Sequence, residues 1–361
     1  MMYFVPSWYH GNEYKENEQY WYRRRTVTEF DDSVKQVQMF NRNNIMDYKI
    51  LNLSYCPNFR HFLHRQSVFH APYWSCFDAI QEIRRTKVDI LSYHDLMWPD
   101  YTEFVYTPFC IVAYVHNEKY AEIHFGEDGN MIEVFLFQSE IMVRKNVYDD
   151  RGFLSTTIVY ENNQPIYEQY LDEKGNWKLL HFFEDDHIEI NSENPYYLIG
   201  NKRFTFDSLN YDSMESLIEE VFSTYLDEMT DSTDIFCLAM HTLHHDLLES
   251  LFTQRKTILS FYQNRMELFE DAELKSLIRS TNYCIVDSKH KIRPLEKYAG
   301  KTLPIVDITP FDTRADFGIS QQLTVQNILV PIDSIEQSRL EALIVLFAKY
   351  FETNETARVH F

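Results

Sequence analysis

Between residues 103 and 200 the sequence repeats one pattern: a strand-length run rich in aromatic and β-branched residues, followed by a turn. The turns read EDGN (127–130), DDRG (149–152), ENNQ (161–164) and DEKG (172–175), and the last three begin 12 and 11 residues apart. Between and after them lie MIEVFLFQ, IMVRKNVY, FLSTTIVY, PIYEQYL and NWKLLHFF. Such side chains fit a pleated, half-buried surface, and the spacing is that of consecutive antiparallel hairpins. Four of the eight glycines (Gly126, Gly129, Gly152, Gly175) sit at these turns, where a positive φ is wanted. This stretch reads as an antiparallel meander.

The flanks keep a different rhythm. MYFVPSW (2–8) reads as a short buried strand, and a helix starting at Asp31 and Asp32 runs to about Asn43 with Val34, Val37 and Phe40 on one face. YKILNLSY (48–55) is a second strand, helices are expected at 58–68 and 73–85, and KVDILSY (87–93) is a third strand. Past residue 200 the alternation resumes with a helix over Ser213–Glu228 and the strand DIFCLAMH (234–241), apolar without strict alternation as in a parallel sheet. HHDLLESLF is helical, KTILSFY a strand, Glu267–Arg279 a helix and NYCIVDS a strand. Strands alternating with helices imply a doubly wound parallel sheet, so the meander is inserted within one α/β domain. A second α/β unit is expected from about residue 300, with LPIVDITPFDTR leading to the strand NILVPID, a helix over Ser334–Phe351 and the strand ARVHF. One helix between two strands cannot cover both faces of a sheet, so this unit reads as incomplete. The expected division is 1–102, 103–200, 201–299 and 300–361.

Charge removes one class of partner. Asp plus Glu is 55 against 34 for Lys plus Arg, a net charge of -21 that repels polyphosphates, so nucleic acid is not expected to bind. The five cysteines (Cys56, Cys76, Cys110, Cys237, Cys284) form no CxxC pair and read as reduced thiols of a cytosolic protein. No basic leader precedes MMYFVPSWYHG, and the apolar stretch Leu340–Phe351 is broken by Glu341 and Lys349. A cytoplasmic protein is expected.

Two α/β units suggest nucleotide binding, yet there is no GxGxxG, no Walker lysine loop and no Asp-x-Asp clamp for a sugar diphosphate. That pattern weighs against dinucleotide and P-loop classes more than against sugar nucleotides. His241, His244 and His245 lie just past an expected parallel strand, where ligand crevices form. His241 and His245 share a helical face as in a zinc helix, but Thr242 stands where HExxH carries its general base and no third ligand is evident, so no metal is assigned. Packing and capping are the competing reading for these histidines. His61 and His64, three apart beside Arg60 and Arg65, read as a partly solvated helix face. Arg23–Arg25, the only triple basic run, could touch anionic lipid. Asp312 and Arg314, at the join between the α/β units, could pair or line a cleft. Ser7 has no GxSxG elbow around it. Trp177, Tyr167, Tyr170 and Tyr160 on the meander are candidates for stacking on sugar rings or gripping an extended peptide, with sheet packing as the alternative.

Several segments together resemble a known family. MYFVPSWY at the N-terminus, EFDD at 29–32, LNLSYCPNFRHFLHR at 51–65 and DITPFDTRADFGISQQL at 307–323 resemble the first of the three accessory secretory proteins of the accessory Sec system, which exports serine-rich-repeat glycoprotein adhesins. The meander is similar to the extended β-sheet insertion of the glycosyltransferase pair that modifies those adhesins. The resemblance implies a GT-B-like fold: two Rossmann-like units, the second truncated here, with an inserted antiparallel β-meander. It implies a scaffold without transferase activity or cofactor. The implied partners are the second and third accessory secretory proteins, the accessory SecA motor and the glycosylated adhesin. Family members run on past the last residue of this sequence, which implies that the second unit is incomplete. The expected substrate-binding residues are His241, His244, Asp312, Arg314, Trp177 and Tyr167. Two other readings stay open: an active glycosyltransferase using a nucleotide sugar, and an adaptor that docks on anionic lipid at the inner face of the membrane.

Overall fold

The computed structural model describes residues 1–11, 13–15, 31–45, 47–268, 271–308, 325–330 and 335–360. The chain divides into two units, residues 1–310 and 311–361. The first unit opens with strands β1 (Met2–Val5), β2 (Tyr48–Asn52) and β3 (Tyr73–Ser75), and helices α1 (Asp32–Arg42), α2 (Phe59–Arg65) and α3 (Cys76–Ile80). Asp31 caps α1 by accepting from the Val34 amide at 3.1 Å, which is why the helix begins there.

The meander follows as β4 (Thr102–Tyr106), β5 (Ile111–Val115), β6 (Glu118–Phe125), β7 (Met131–Gln138), β8 (Ile141–Asp149), β9 (Phe153–Glu161), β10 (Gln164–Leu171), β11 (Trp177–Phe182) and β12 (Ile188–Ile190). A separate hairpin, β13 (Tyr196–Ile199) with β14 (Lys202–Thr205), precedes β15 (Asn210–Tyr211). The antiparallel sheet has ten strands in the order β15-β12-β11-β10-β9-β8-β7-β6-β5-β4, so almost every strand pairs with its neighbour in sequence. Gly152 sits at φ +89°, and a Cβ there would lie 1.7 Å from the carbonyl oxygen of Asp89, so only glycine lets the two backbones approach.

The chain then returns to the first sheet through α4 (Met214–Met229), β16 (Ile235–Ala239), α5 (His245–Phe252), β17 (Lys256–Phe261), α6 (Ala272–Ser280), β18 (Tyr283–Val286), α7 (Ile292–Ala299) and β19 (Ile305–Asp307). That sheet is parallel throughout, in the order β19-β18-β17-β16-β1-β2-β3. The meander therefore separates strands that lie side by side: Met2 pairs with Ile235. Tyr170, Leu179 and Ile188 of the meander share one buried core with Leu51, Phe77, Leu217 and Phe236. A polar seam joins the meander to α3 and the residues just after it. Arg151 donates to both Asp78 oxygens at 2.8 Å, and Gln81 donates to the Leu171 carbonyl at 2.7 Å. The wholly buried Lys178 ammonium donates to Glu82 (2.7 Å) and to the carbonyls of Asn194 (3.1 Å) and Tyr196 (2.7 Å), which accounts for all three of its protons.

Three expectations need correction. Residues 87–93 are not a strand: Asp89 is tied to the turn at Arg151 (3.1 Å), Ile90 is 92% exposed, and Ser92 and Asp95 form a capping box. Local side-chain bonds of this kind compete with sheet pairing. The third strand is instead Tyr73–Ser75, inside the segment expected to be helical from 73, because the Ser75 hydroxyl accepts from the Asp78 amide (3.2 Å) and starts α3 at Cys76. Ile305–Asp307, expected to open the second unit, pairs with Cys284–Val286 and is the last strand of the first sheet.

The second unit contains β20 (Gln326–Leu329), α8 (Gln337–Phe351) and β21 (Ala357–His360), with the two strands parallel. No residue of α8 is buried, and Leu346 is 62% exposed.

Candidate functional site

The order of the parallel sheet places its topological switch point between β1 and β16: from β1 the chain adds β2 and β3 on one side, and from β16 it adds β17, β18 and β19 on the other. Ligands of open α/β sheets bind outside the carboxyl ends of the strands at such a point. The residues there are Ser7, Trp8 and Tyr9 after β1, His241 and His244 after β16, and Tyr262 and Arg265 after β17.

Among the described residues lining this crevice, Arg265 is the cation at the switch point, and carboxylates hold it. Its guanidinium donates to Ser7 Oγ (2.7 Å), Asp31 Oδ2 (3.0 Å) and Asp32 Oδ2 (2.9 Å), and its Nε to the Tyr262 carbonyl (3.3 Å). Trp8 Nε1 donates to the other Asp31 oxygen at 3.0 Å, and Ser260 Oγ donates to Asp32. Burial, and then the neighbouring Asp32, push the Asp31 carboxyl up to about 6, against the opposing pull of Arg265 and the bonds from Trp8 and Val34. Two carboxylates on one guanidinium leave the cluster negative.

The histidines carry no charge to offset this. His244 is wholly buried. Its Nε2–H donates to the Ala239 carbonyl (2.7 Å), so Nδ1 accepts from the Tyr9 hydroxyl (2.7 Å). Burial drives its pKa down to about 3, with His241 and Arg265 pushing the same way and the Ala239 bond opposing. His241, whose Nδ1 accepts from the Leu243 amide (3.0 Å), is lowered to about 4 by burial and by Arg265. Beyond β17 and β18 a cleft of about 360 Å³ is lined by Tyr262, Gln263, Met266, His290 and Lys291. The Lys291 ammonium is 2.9 Å from Asp287 and donates to the Gln263 carbonyl. Among the described residues at these strand ends, each of these two cations already has a carboxylate.

The other expected positions are scattered. Tyr167 and Trp177 meet in one open groove of about 680 Å³ on the meander, with Arg144, Gln169, Asn176 and Asn191. Tyr170 does not join them: it is fully buried and donates to Glu168 Oε2 (3.2 Å), because it lies on the face of β10 that packs into the core. Tyr160 is half-buried. His61 lies against Glu127 (3.6 Å) and Asp128 (3.3 Å), and His64 is exposed. Asp312, Arg314 and Arg23–Arg25 lie outside the described residues. Sequence reading took EFDD only as a helix start and missed the pairing of Asp31 and Asp32 with Arg265, over 230 positions away.

A sequence model described as the accessory Sec system protein Asp-one family matches residues 1–361. The chain belongs to that family. A curated relative, accessory Sec system protein Asp-one of Streptococcus gordonii, is 31% identical over 342 residues, covering 93% of this chain and 63% of the relative. The chain thus spans less than two thirds of that protein's length. The solved structure of accessory secretory proteins 1, 2 and 3 of Streptococcus pneumoniae matches with a TM-score of 0.82 at 27% identity, over 99% of this chain and 72% of the other. The pneumococcal O-GlcNAc transferase GtfA, solved with UDP and GlcNAc, matches at a TM-score of 0.61 with 9% identity, over 99% of this chain and 75% of that one. The last likeness is one of fold: this member of the accessory Sec family has the GT-B-like architecture of a glycosyltransferase.

Proposed function

We propose that the chain is a non-catalytic glycosyltransferase-like component of the accessory Sec system. It would act with the second and third accessory secretory proteins and the accessory SecA motor in the cytoplasmic handling and export of glycosylated serine-rich-repeat adhesins. In this reading the antiparallel sheet is an insertion in the first Rossmann-like unit, and residues 1–102 and 201–299 with β19 build that unit. The observation that carries the reading is the closed ion cluster at the switch point. A sugar nucleotide presents a diphosphate, and here Arg265 is already held by Asp31 and Asp32 while His241 and His244 are neutral. A diphosphate entering would meet a site of its own sign. Support for the partners comes from the pneumococcal structure, which contains accessory secretory proteins 1, 2 and 3 together.

Recognition of an adhesin would then rest on shape and stacking rather than on a phosphate clamp. The groove holding Tyr167 and Trp177 offers two aromatic rings among amide side chains, the mix that sugar rings or an extended peptide would find complementary. His241, His244, Asp312 and Arg314 enter the proposal as lining of the crevice. Two measurements test it. Calorimetry of the chain with UDP-GlcNAc is expected to show no saturable heat, and turnover of the donor would overturn the non-catalytic reading. Pull-down of the glycosylated adhesin is expected to succeed and to weaken for Trp177→Ala and Tyr167→Ala; equal recovery by both variants would reject the groove.

A further inference from the structure

We propose that α5 and α6 hold a divalent transition-metal cation between His245, Asp246, Glu249 and Asp271. Each of these residues offers a ligand atom, one imidazole nitrogen and three carboxylate oxygens, and the four atoms lie within 4.8 Å of one another. An ion about 2.0–2.2 Å from each ligand needs those atoms roughly 3–4 Å apart, so side-chain rotation of about an ångström closes the set. Two helices supply it. His245 and Glu249 are four apart on α5 and share one face, Asp246 stands in the first turn, and Asp271 is the N-cap residue of α6. The expected helix from Glu267 begins only at Ala272 because Asp271 Oδ1 accepts from the amides of Glu273 (2.6 Å) and Leu274 (3.1 Å).

The observation that sets this cluster apart from an ordinary acidic surface is Glu249. The residue is only 3% exposed, and its Oε1 has no hydrogen-bond partner among the described residues. A carboxyl group buried without a partner is costly. His245 is oriented as metal-binding histidines are: Nδ1–H donates to the Thr242 carbonyl (2.8 Å), which turns Nε2 toward Asp246 Oδ1, 3.1 Å away. Three carboxylates and an imidazole suit zinc or manganese better than the all-oxygen ions magnesium and calcium. Asp246 is exposed and gives the ion a route in from water. Binding would clamp α5, which follows the crevice strand β16, to α6.

The test titrates Zn²⁺, Mn²⁺ and Mg²⁺ into the intact, metal-free chain, read by calorimetry and thermal melting. Zinc is expected to bind one-to-one and raise Tm, manganese to bind more weakly, and magnesium not to bind. Glu249→Gln should weaken zinc at least tenfold while melting no lower than the parent without metal, since the amide keeps the size of the carboxyl and places no charge in the buried position. Asp271→Asn, which keeps a capping oxygen, should weaken zinc similarly and stands in if the first variant does not fold. No zinc binding by the parent, or the same zinc affinity in the parent and in both variants, would overturn the assignment.

Discussion

Replacing Arg265 with Met removes the guanidinium from between Asp31 and Asp32, whose side chains are 12% and 8% exposed, and leaves Ser7 without its donor. Breaking a buried ion pair by deleting one partner costs roughly 3–5 kcal/mol, because the remaining charge is stranded away from water. That is the loss expected at pH 7.5. The pH dependence follows from Asp31, whose folded pKa of about 6 lies above the unfolded value of about 3.9. A carboxyl that holds its proton more tightly in the folded state adds stability as pH falls, between about 6 and 4. At 1.36 kcal/mol per pKa unit this contribution is about 3 kcal/mol in the parent. Without Arg265 the pull toward ionisation is gone, so Asp31 moves higher still and acid recovers more of the loss. Urea unfolding of parent and Arg265→Met at pH 7.5 and pH 5.0 measures this, with Trp8, which donates to Asp31, as the local fluorophore. The penalty should shrink by at least ~1 kcal/mol at pH 5.0. A penalty below ~1 kcal/mol at pH 7.5, typical of an exposed pair, or one equal at both pH values, would refute the picture of a buried, closed cluster.

Two further perturbations probe neighbouring features. Gly152→Ala should destabilise by several kcal/mol, because a Cβ would strike the Asp89 carbonyl, whereas Gly129→Ala, at φ +84° with nothing within 4 Å, should lose only about 1–2 kcal/mol of backbone strain; equal melting shifts would contradict the close approach. His244, held neutral with a pKa near 3, contributes stability that is present above the unfolded value of about 6.5 and is lost as pH falls toward 3. Its imidazole resonances should not titrate down to pH 4.5, and His244→Ala should lose about 2–4 kcal/mol by orphaning the Tyr9 hydroxyl and the Ala239 carbonyl; titration near 6.5 would show the ring to be solvated.

The legible parts of this fold are those where local chemistry and tertiary contacts agree. IFCLA in β16 reads as a parallel central strand because four of its five residues are buried, leaving no face for alternation. The meander reads clearly because each hairpin carries its own turn, with Gly152 and Gly175 at φ +89° and +86°. KVDILSY misleads because its strand composition is overridden by the bond from Asp89 to Arg151 and by the Ser92–Asp95 box. Tyr167 and Tyr170 are both candidates in the sequence, but their separation of three along a strand puts them on opposite faces, and only Tyr167 reaches the groove. The position of His241 and His244 at a strand end could be read from the order of elements, whereas their neutrality depends on Tyr9 and Ala239. Nothing local in EFDD announces Arg265, and nothing near His245 announces Asp271: both meetings are made by the sheet, not by spacing.

The pairing of Met2 with Ile235 also sets a timetable for synthesis. At about 5–20 residues per second, a ribosome needs roughly 10–50 s after finishing the first strand to make its neighbour. During that interval the β1 edge that will receive β16 has no native mate, while the hairpins from β4 to β12 can zip up one after another as they emerge. The nascent chain can therefore pair its hairpins well before its parallel sheet can be completed.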